Sequence, residues 1–385
     1  MKKTLAAVAV LGAFAGSALA ADVQLYGIVD TGVRYLSGDY DKANTDSFNK
    51  FSMESGMASG SRFGFKGTED LGNGLTVGFI LENQFNSDDG SLKDDDHFFR
   101  REASLFLEGS FGKFAMGRMG SINGGTSSWA QHGVMSAFGT SWGSYAANAD
   151  NVFGNSQIWD NMIAYQTPSF AGFKVYAQYG MGNSLDPATY DSVENESSSD
   201  RYYAIGASYA NGPLNLFLSV DSVNYATAQK SKIEDLDDSL TVRFGGNFDF
   251  EVAKVFAGVS YFDEAKLSNY SGISSDGGVG YKGLKLEGWS LGLSTSIPVA
   301  GGQVLFGAAY MDAEAADSAA QTGDKDLELS RWIVSAGYDY PFSKRTDVYA
   351  VATYNQDSLE NAANYEGKDA DPYVFGVMVG LRHRF

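Results

Sequence analysis

The sequence predicts an all-β chain: a 16-stranded antiparallel transmembrane β-barrel. Three observations predict it. Strand-length runs alternate apolar and polar residues, as in Trp289, Leu291, Leu293 and Ile297 against Gly288, Ser290, Gly292 and Ser294. Short turns alternate strictly with long polar connections. Past residue 20, no stretch approaches the roughly 20 consecutive apolar residues that a spanning helix needs.

The first element is a leader. In "MKKTLAAVAVLGAFAGSALA", Lys2 and Lys3 form a basic end, Leu5 to Ala15 an apolar stretch, and Ala18 and Ala20 a small-residue cleavage site. Residues 1–20 are therefore expected to be a signal peptide, and 21–385 the exported barrel. With no cysteine, no disulfide framework holds that barrel.

The strands follow in pairs. Short turns are expected at 70–74, 109–113, 167–172, 210–213, 247–254, 297–303 and 340–347. Seven hairpin pairs with one run at each end make sixteen strands. The run 23–36 opens the series. The run ending "GLRHRF" (380–385) closes it, with Tyr373, Phe375, Val377, Val379, Leu381 and His383 on one face. In lipid a bare edge strand would leave amides unpaired, so the first and last strands are expected to pair and close the ring. The long connections are expected near 37–58, 87–96, 119–157, 182–200, 223–237, 264–281, 313–326 and 359–370.

Composition narrows the function classes. There are 46 Gly, 6 Pro, 22 Tyr and 26 Phe, which suits many close-packed strands with interfacial rings. Without the leader's two lysines, 26 basic side chains face 47 acidic ones, a net charge of −21. That excludes a nucleic-acid partner, which requires a basic footprint. Most acids lie in the loops, as in "DDGSLKDDD" and "DSVENESSSD". The longest connection, 119–157, differs: it is rich in Gly, Ser and aromatics and carries one acid, Asp150. It is expected to pack against a wall, and sixteen strands leave an aqueous lumen for it to enter.

Several stretches resemble the Gram-negative trimeric general porins: "LYGIVDTGV" (25–33), "SGSRFGFKGTEDLGNGL" (59–75), "LENQF" (81–85), "FGKFAMGR" (111–118), "NMIAYQTPSFAGFKVYAQYG" (161–180), "YYAIGASYANGPL" (202–214) and "VGLRHRF" (379–385). They run in family order along the chain. The resemblance implies a homotrimer in the outer membrane, set among its lipid and lipopolysaccharide. It implies passive diffusion of small hydrophilic solutes and a third long loop folded inward. It also implies that Phe385 is a signal read by the barrel-assembly machinery. Arg62, Arg101 and Arg118 match the family's basic constriction residues, and Glu82 an acidic lumen position. The sequence departs from some relatives at Ile158, where a basic residue stands in them, and in the missing acidic cluster of the third loop.

Parity adds Arg34 and Lys66 to that set, because Phe63 and Phe65 face out and Arg34 shares a face with Asp30. Arg101 shares the parity of outward Ala103 and Leu105. The expected constriction is thus Arg62, Arg118, Arg101, Arg34 and Lys66 against Glu82 and Asp150. A ring of arginine favours anions, so a weak to moderate anion preference follows. The alternatives are a solute-specific porin, or a barrel scaffold whose loops serve as adhesin or enzyme. No nucleophile–base set stands out, and no cofactor or metal site is expected. "GVGYKG" (278–283) lacks the strand–turn–helix setting of a dinucleotide site. Asp94–Asp96 reads as a solvated charge run, and His97, His132 and His383 are far apart.

Overall fold

A computed structural model describes residues 23–41, 47–155, 158–182, 193–231, 233, 235–273, 283–318, 326–362 and 368–385. The expected leader and "GVGYKG", except for Gly283, lie outside the described residues.

The strands are β1 (Gln24–Asp39), β2 (Ser47–Ser55), β3 (Arg62–Gly72), β4 (Leu75–Gln84), β5 (Glu102–Gly109), β6 (Gly112–Gly120), β7 (Ile158–Gln166), β8 (Phe173–Gly180) and β9 (Arg201–Asn211). They continue as β10 (Leu214–Asn224), β11 (Leu240–Asp249), β12 (Lys254–Lys266), β13 (Lys285–Val299), β14 (Gly302–Ala315), β15 (Glu328–Pro341), β16 (Thr346–Ala362), β17 (Lys368–Ala370) and β18 (Tyr373–Arg384). Each strand pairs antiparallel with its neighbours, and β1 pairs with β18.

The eighteen segments make sixteen staves. β1 pairs with β2 over Thr31–Asp39 and with β3 over Gln24–Ile28, so β2 and β3 are one stave broken at residues 56–61. β17 and β18 likewise share β16. The seven short turns fall where the sequence puts them. The long connections are shorter than expected at their flanks. The expected connection 37–58 contains β2, and 359–370 contains β17 and the end of β16. Alternation continues there with polar residues on both faces, which hides strand from a search for apolar periodicity.

The usual inside-out rule is reversed. Along β18 the exposed set is Tyr373, Phe375, Val379 and Leu381, while Arg382 is buried. Along β15, Trp332 and Val334 are exposed, and Arg331 and Ser335 are buried. A wall that meets hydrocarbon outside and polar groups inside produces this pattern. Aromatic contacts Trp289–Tyr310 and Tyr310–Trp332, with centroids 5.5 and 4.5 Å apart, link neighbouring strands on that outer face.

The β6–β7 connection carries a 3-10 turn (His132–Met135) and a short helix (Ala149–Phe153). Its backbone meets the buried face of distant strands. Ala137 N donates to Ser294 Oγ at 2.9 Å, and Ala147 N to Ser335 Oγ at 3.0 Å. Asn247 Nδ2 donates to Val134 O, Arg243 Nε to Phe153 O and Ser290 Oγ to Val152 O. Polar side chains on that face thus satisfy a loop's backbone groups. The connection's own Met135, Phe138 and Phe153 are fully buried.

Candidate functional site

The site grows from the inward parity of β3 and β4. Gly64 stands directly opposite Glu82 and, lacking a side chain, leaves room beside it. Glu82 accepts from Tyr26 Oη at 2.9 Å and from Arg101 Nε, and lies 3.7 Å from Arg62 Nε. Arg101 is 6% exposed, so it does not continue the outward parity of Ala103 and Leu105. β5 begins only at Glu102, and the chain bends at Arg101, which ends the period-two rule there.

Two further arginines extend the row. Arg101 Nη1 and Arg100 Nη1 both donate to Gln84 Oε1, at 3.2 and 3.0 Å. Arg118 Nε donates to Arg100 O at 2.9 Å, and its Nη1 pairs with Asp160. Burial pushes Arg100 below the ordinary guanidinium value. Asp94 opposes that shift, and Arg101 and Arg118 add to it.

Arg100 and Arg118 line a polar cavity of about 540 Å³ with Asp94, Asp150 and Asn151. Asp150 is held by His132 Nε2 at 2.7 Å and by Asn155 Nδ2 at 2.9 Å. The expected residues therefore fall in separate places. Arg62, Arg101 and Glu82 meet directly, Arg118 joins them through Arg100, and Asp150 lines the cavity with Arg118. Arg34 pairs with Glu54 at 2.6 Å across β1 and β2. Lys66 is exposed, with Nζ 5.2 Å from the ring centroid of Tyr26.

Sequence reasoning missed Arg100 and His97, and it read Asp94 as a solvated charge. Asp94 in fact accepts from His97 Nδ1 at 3.1 Å and lies 3.6 Å from Arg100 Nε. It also missed the buried pairs Arg243–Asp221 and Arg331–Asp357. Their signal was present: each arginine has the parity opposite to exposed neighbours, Phe244 and Trp332.

The sequence profile of the Gram-negative porin family matches residues 6–360. The chain belongs to that family. It is 35% identical over the full length of both chains to an outer membrane porin of Bordetella pertussis. It is 31% identical, again over both full lengths, to outer membrane porin protein 32 of Delftia acidovorans. Among solved structures, the anion-selective porin from Comamonas acidovorans superposes with a TM-score of 0.68 at 26% identity, covering 95% of this chain and all of that one. As a porin, the protein is an outer-membrane channel for passive diffusion. Its closed sixteen-stave barrel and apolar outer face are the structure such a channel needs.

Proposed function

We propose that this porin prefers anions weakly to moderately, and that the connected row Arg62–Arg101–Arg100–Arg118 sets the preference. The observation that carries this reading is the sharing of acceptors along the row. Two guanidiniums share Glu82 and two share Gln84, so their five N–H donors each are not all satisfied by protein carboxylates. A passing anion completes such a set. The 26%-identical relative is itself named as anion-selective. The acids of the outer loops count for little, because screening acts over about 8 Å at physiological salt. The preference is expected to fall toward cations in dilute salt, where loop acids reach further.

The β6–β7 connection is the constriction in this reading. Its bonds to β11, β13 and β15 support a path across the lumen. Arg34 and Lys66 belong to the wider lumen wall. The same reading includes a cleaved leader, a homotrimer, lipopolysaccharide around the outer face, and recognition of Phe385 by the assembly machinery. Exposed Phe51, Met53 and Phe98 support contact through the first strands and the second long connection. A monomer by mass measurement in several mild detergents would remove the trimer.

Reversal potentials in molar KCl test the selectivity. Replacing Arg62 and Arg118 together by Ala should move the potential toward cations. Strong cation preference of the unmodified protein, unchanged in the double variant, would refute the arginine row as the determinant.

A further inference from the structure

His97 Nε2 is buried and has no hydrogen-bond partner, and the same holds for Asp160 Oδ2. These two bare atoms face each other at 3.7 Å. On its other side the imidazole reaches Asp94 Oδ2 through Nδ1 at 3.1 Å, and that contact places a proton on Nδ1. A neutral His97 therefore turns a lone pair at Nε2 toward a carboxylate, an acceptor against an acceptor. One further proton converts that face into a donor aimed at Asp160.

We propose that His97 is a selectivity-determining residue of the channel, whose proton sets how much of the Arg100–Arg118 charge a passing anion meets. The proposal rests on the reading of the arginine row as the determinant. With His97 neutral, Asp160 offsets Arg118 and Asp94 offsets Arg100. With His97 protonated, both carboxylates are bridged by the imidazolium. One positive charge is added beside the row, and the hold of Asp160 on Arg118 is shared.

Around the His97 ring, Asp94 and Arg100 come from its own connection, with Asp95 and Asp96 flanking it. Asp160 comes from β7 and Arg118 from β6, and Asp150 stands among the other residues lining the cavity. Its side chain is 25% exposed, so protons reach it from the water. His132 differs in geometry. It is fully buried, its Nε2 already bonds Asp150, and its Nδ1 has no partner to receive a second donor. A histidine changes charge between pH 5 and 8, within the range where arginine and ionised aspartate keep theirs.

The test uses the assembled channel in planar bilayers with a dilute KCl gradient, at pH 8.0 and 5.5. The unmodified protein should gain roughly two-fold or more in chloride over potassium permeability on acidification, a size set by one added charge at partly screened short range. His97→Gln should lose that gain. His97→Arg should show the acid-type ratio already at pH 8.0 and no further change. No pH response in the unmodified protein overturns the proposal. So does a full response in His97→Gln, or an unshifted ratio in His97→Arg. The Arg62 and Arg118 double replacement separates the two ideas. If it leaves selectivity unchanged while His97→Gln abolishes the pH response, the arginine reading fails and the role of His97 stands. If the double replacement shifts selectivity and the histidine variants do nothing, the reverse holds.

Discussion

The backbone of Phe385 forms a reciprocal pair with Gly27: Gly27 N donates to Phe385 O at 3.1 Å, and Phe385 N to Gly27 O at 3.0 Å. The aromatic ring covers the glycine, with Cζ in the space a Cβ would occupy. Ring closure thus ends in an aromatic residue lying over a glycine on the neighbouring strand, an arrangement that pins register.

The first prediction follows from that pair. Phe385→Ala should destabilise the heat-resistant barrel by on the order of 1 kcal/mol, for a lost cross-strand contact, and so lower its melting temperature. Gly27→Val should do more, because its Cβ also meets Arg62 O at 2.6 Å, a backbone atom that cannot rotate away. Deleting Phe385 should reduce the barrel assembled in cells. Heat-modifiability on gels reads all three, and unaltered melting with normal yield would count against the closure role.

A second prediction concerns the outer rim. Glu287, Glu314, Glu328 and Glu360 stand directly opposite one another across β13, β14, β15 and β16. Like charges facing across a ladder destabilise it, by up to about 1 kcal/mol each. Glu314→Gln should therefore raise the melting temperature in dilute buffer, with the gain shrinking in 1 M salt as screening shortens. A loss of stability, or a gain that salt leaves unchanged, would show that repulsion is not the operative force there.

The barrel was legible because each lipid-facing side chain must be apolar, and that constraint writes period two into the chain. The expected turns at 109–113 and 210–213 hold the observed ones. Legibility ended where backbone geometry stops being regular. Parity alone would turn Arg101 outward with Ala103 and Leu105, against its expected place in the constriction, because β5 starts one residue later and the alternation does not reach it. His97 and Asp94 looked like loop charge because their partners, Asp160 and Arg100, depend on how the connection folds back. Asp221 and Arg243 are 22 residues apart in sequence, and only the register of β10 with β11 brings them together.

A third prediction concerns acid. Burial raises the Asp94 carboxyl, but donation from Asp96 N and from His97 outweighs it and holds the group below the ordinary value of 3.8. The sign is that of a depressed acid: its support of the second long connection is complete above the unfolded value and is lost as pH falls through the folded one. Amide exchange across residues 86–101, corrected for intrinsic rates, should show no loosening from pH 7 to 5 and should rise below about pH 4. Asp94→Asn should remove that rise. Loosening already at pH 6 would place the event on another group.

The last prediction concerns what holds the β6–β7 connection in place. Asp221 accepts from Asn123 Nδ2 at 3.2 Å and pairs with Arg243, which donates from Nε to Phe153 O at 2.7 Å. Asn123 and Phe153 lie near the two ends of the β6–β7 connection, so one ion pair anchors both. Arg243 is 2% exposed and Asp221 5%. Removing one partner of a buried pair leaves the other uncompensated, at a cost of about 3–5 kcal/mol where water cannot enter, and less in a wet lumen. Asp221→Ala should therefore free the connection while the barrel, held by its ladders, still forms. Protease should then cut within residues 121–155, and single-channel current should become larger and noisier. Replacing both residues, Asp221→Ala with Arg243→Met, should restore part of the protection by removing the stranded charge. Equal cleavage of the unmodified and Asp221→Ala proteins, with identical conductance, would mean that the other loop–wall bonds suffice and that the pair is not the anchor.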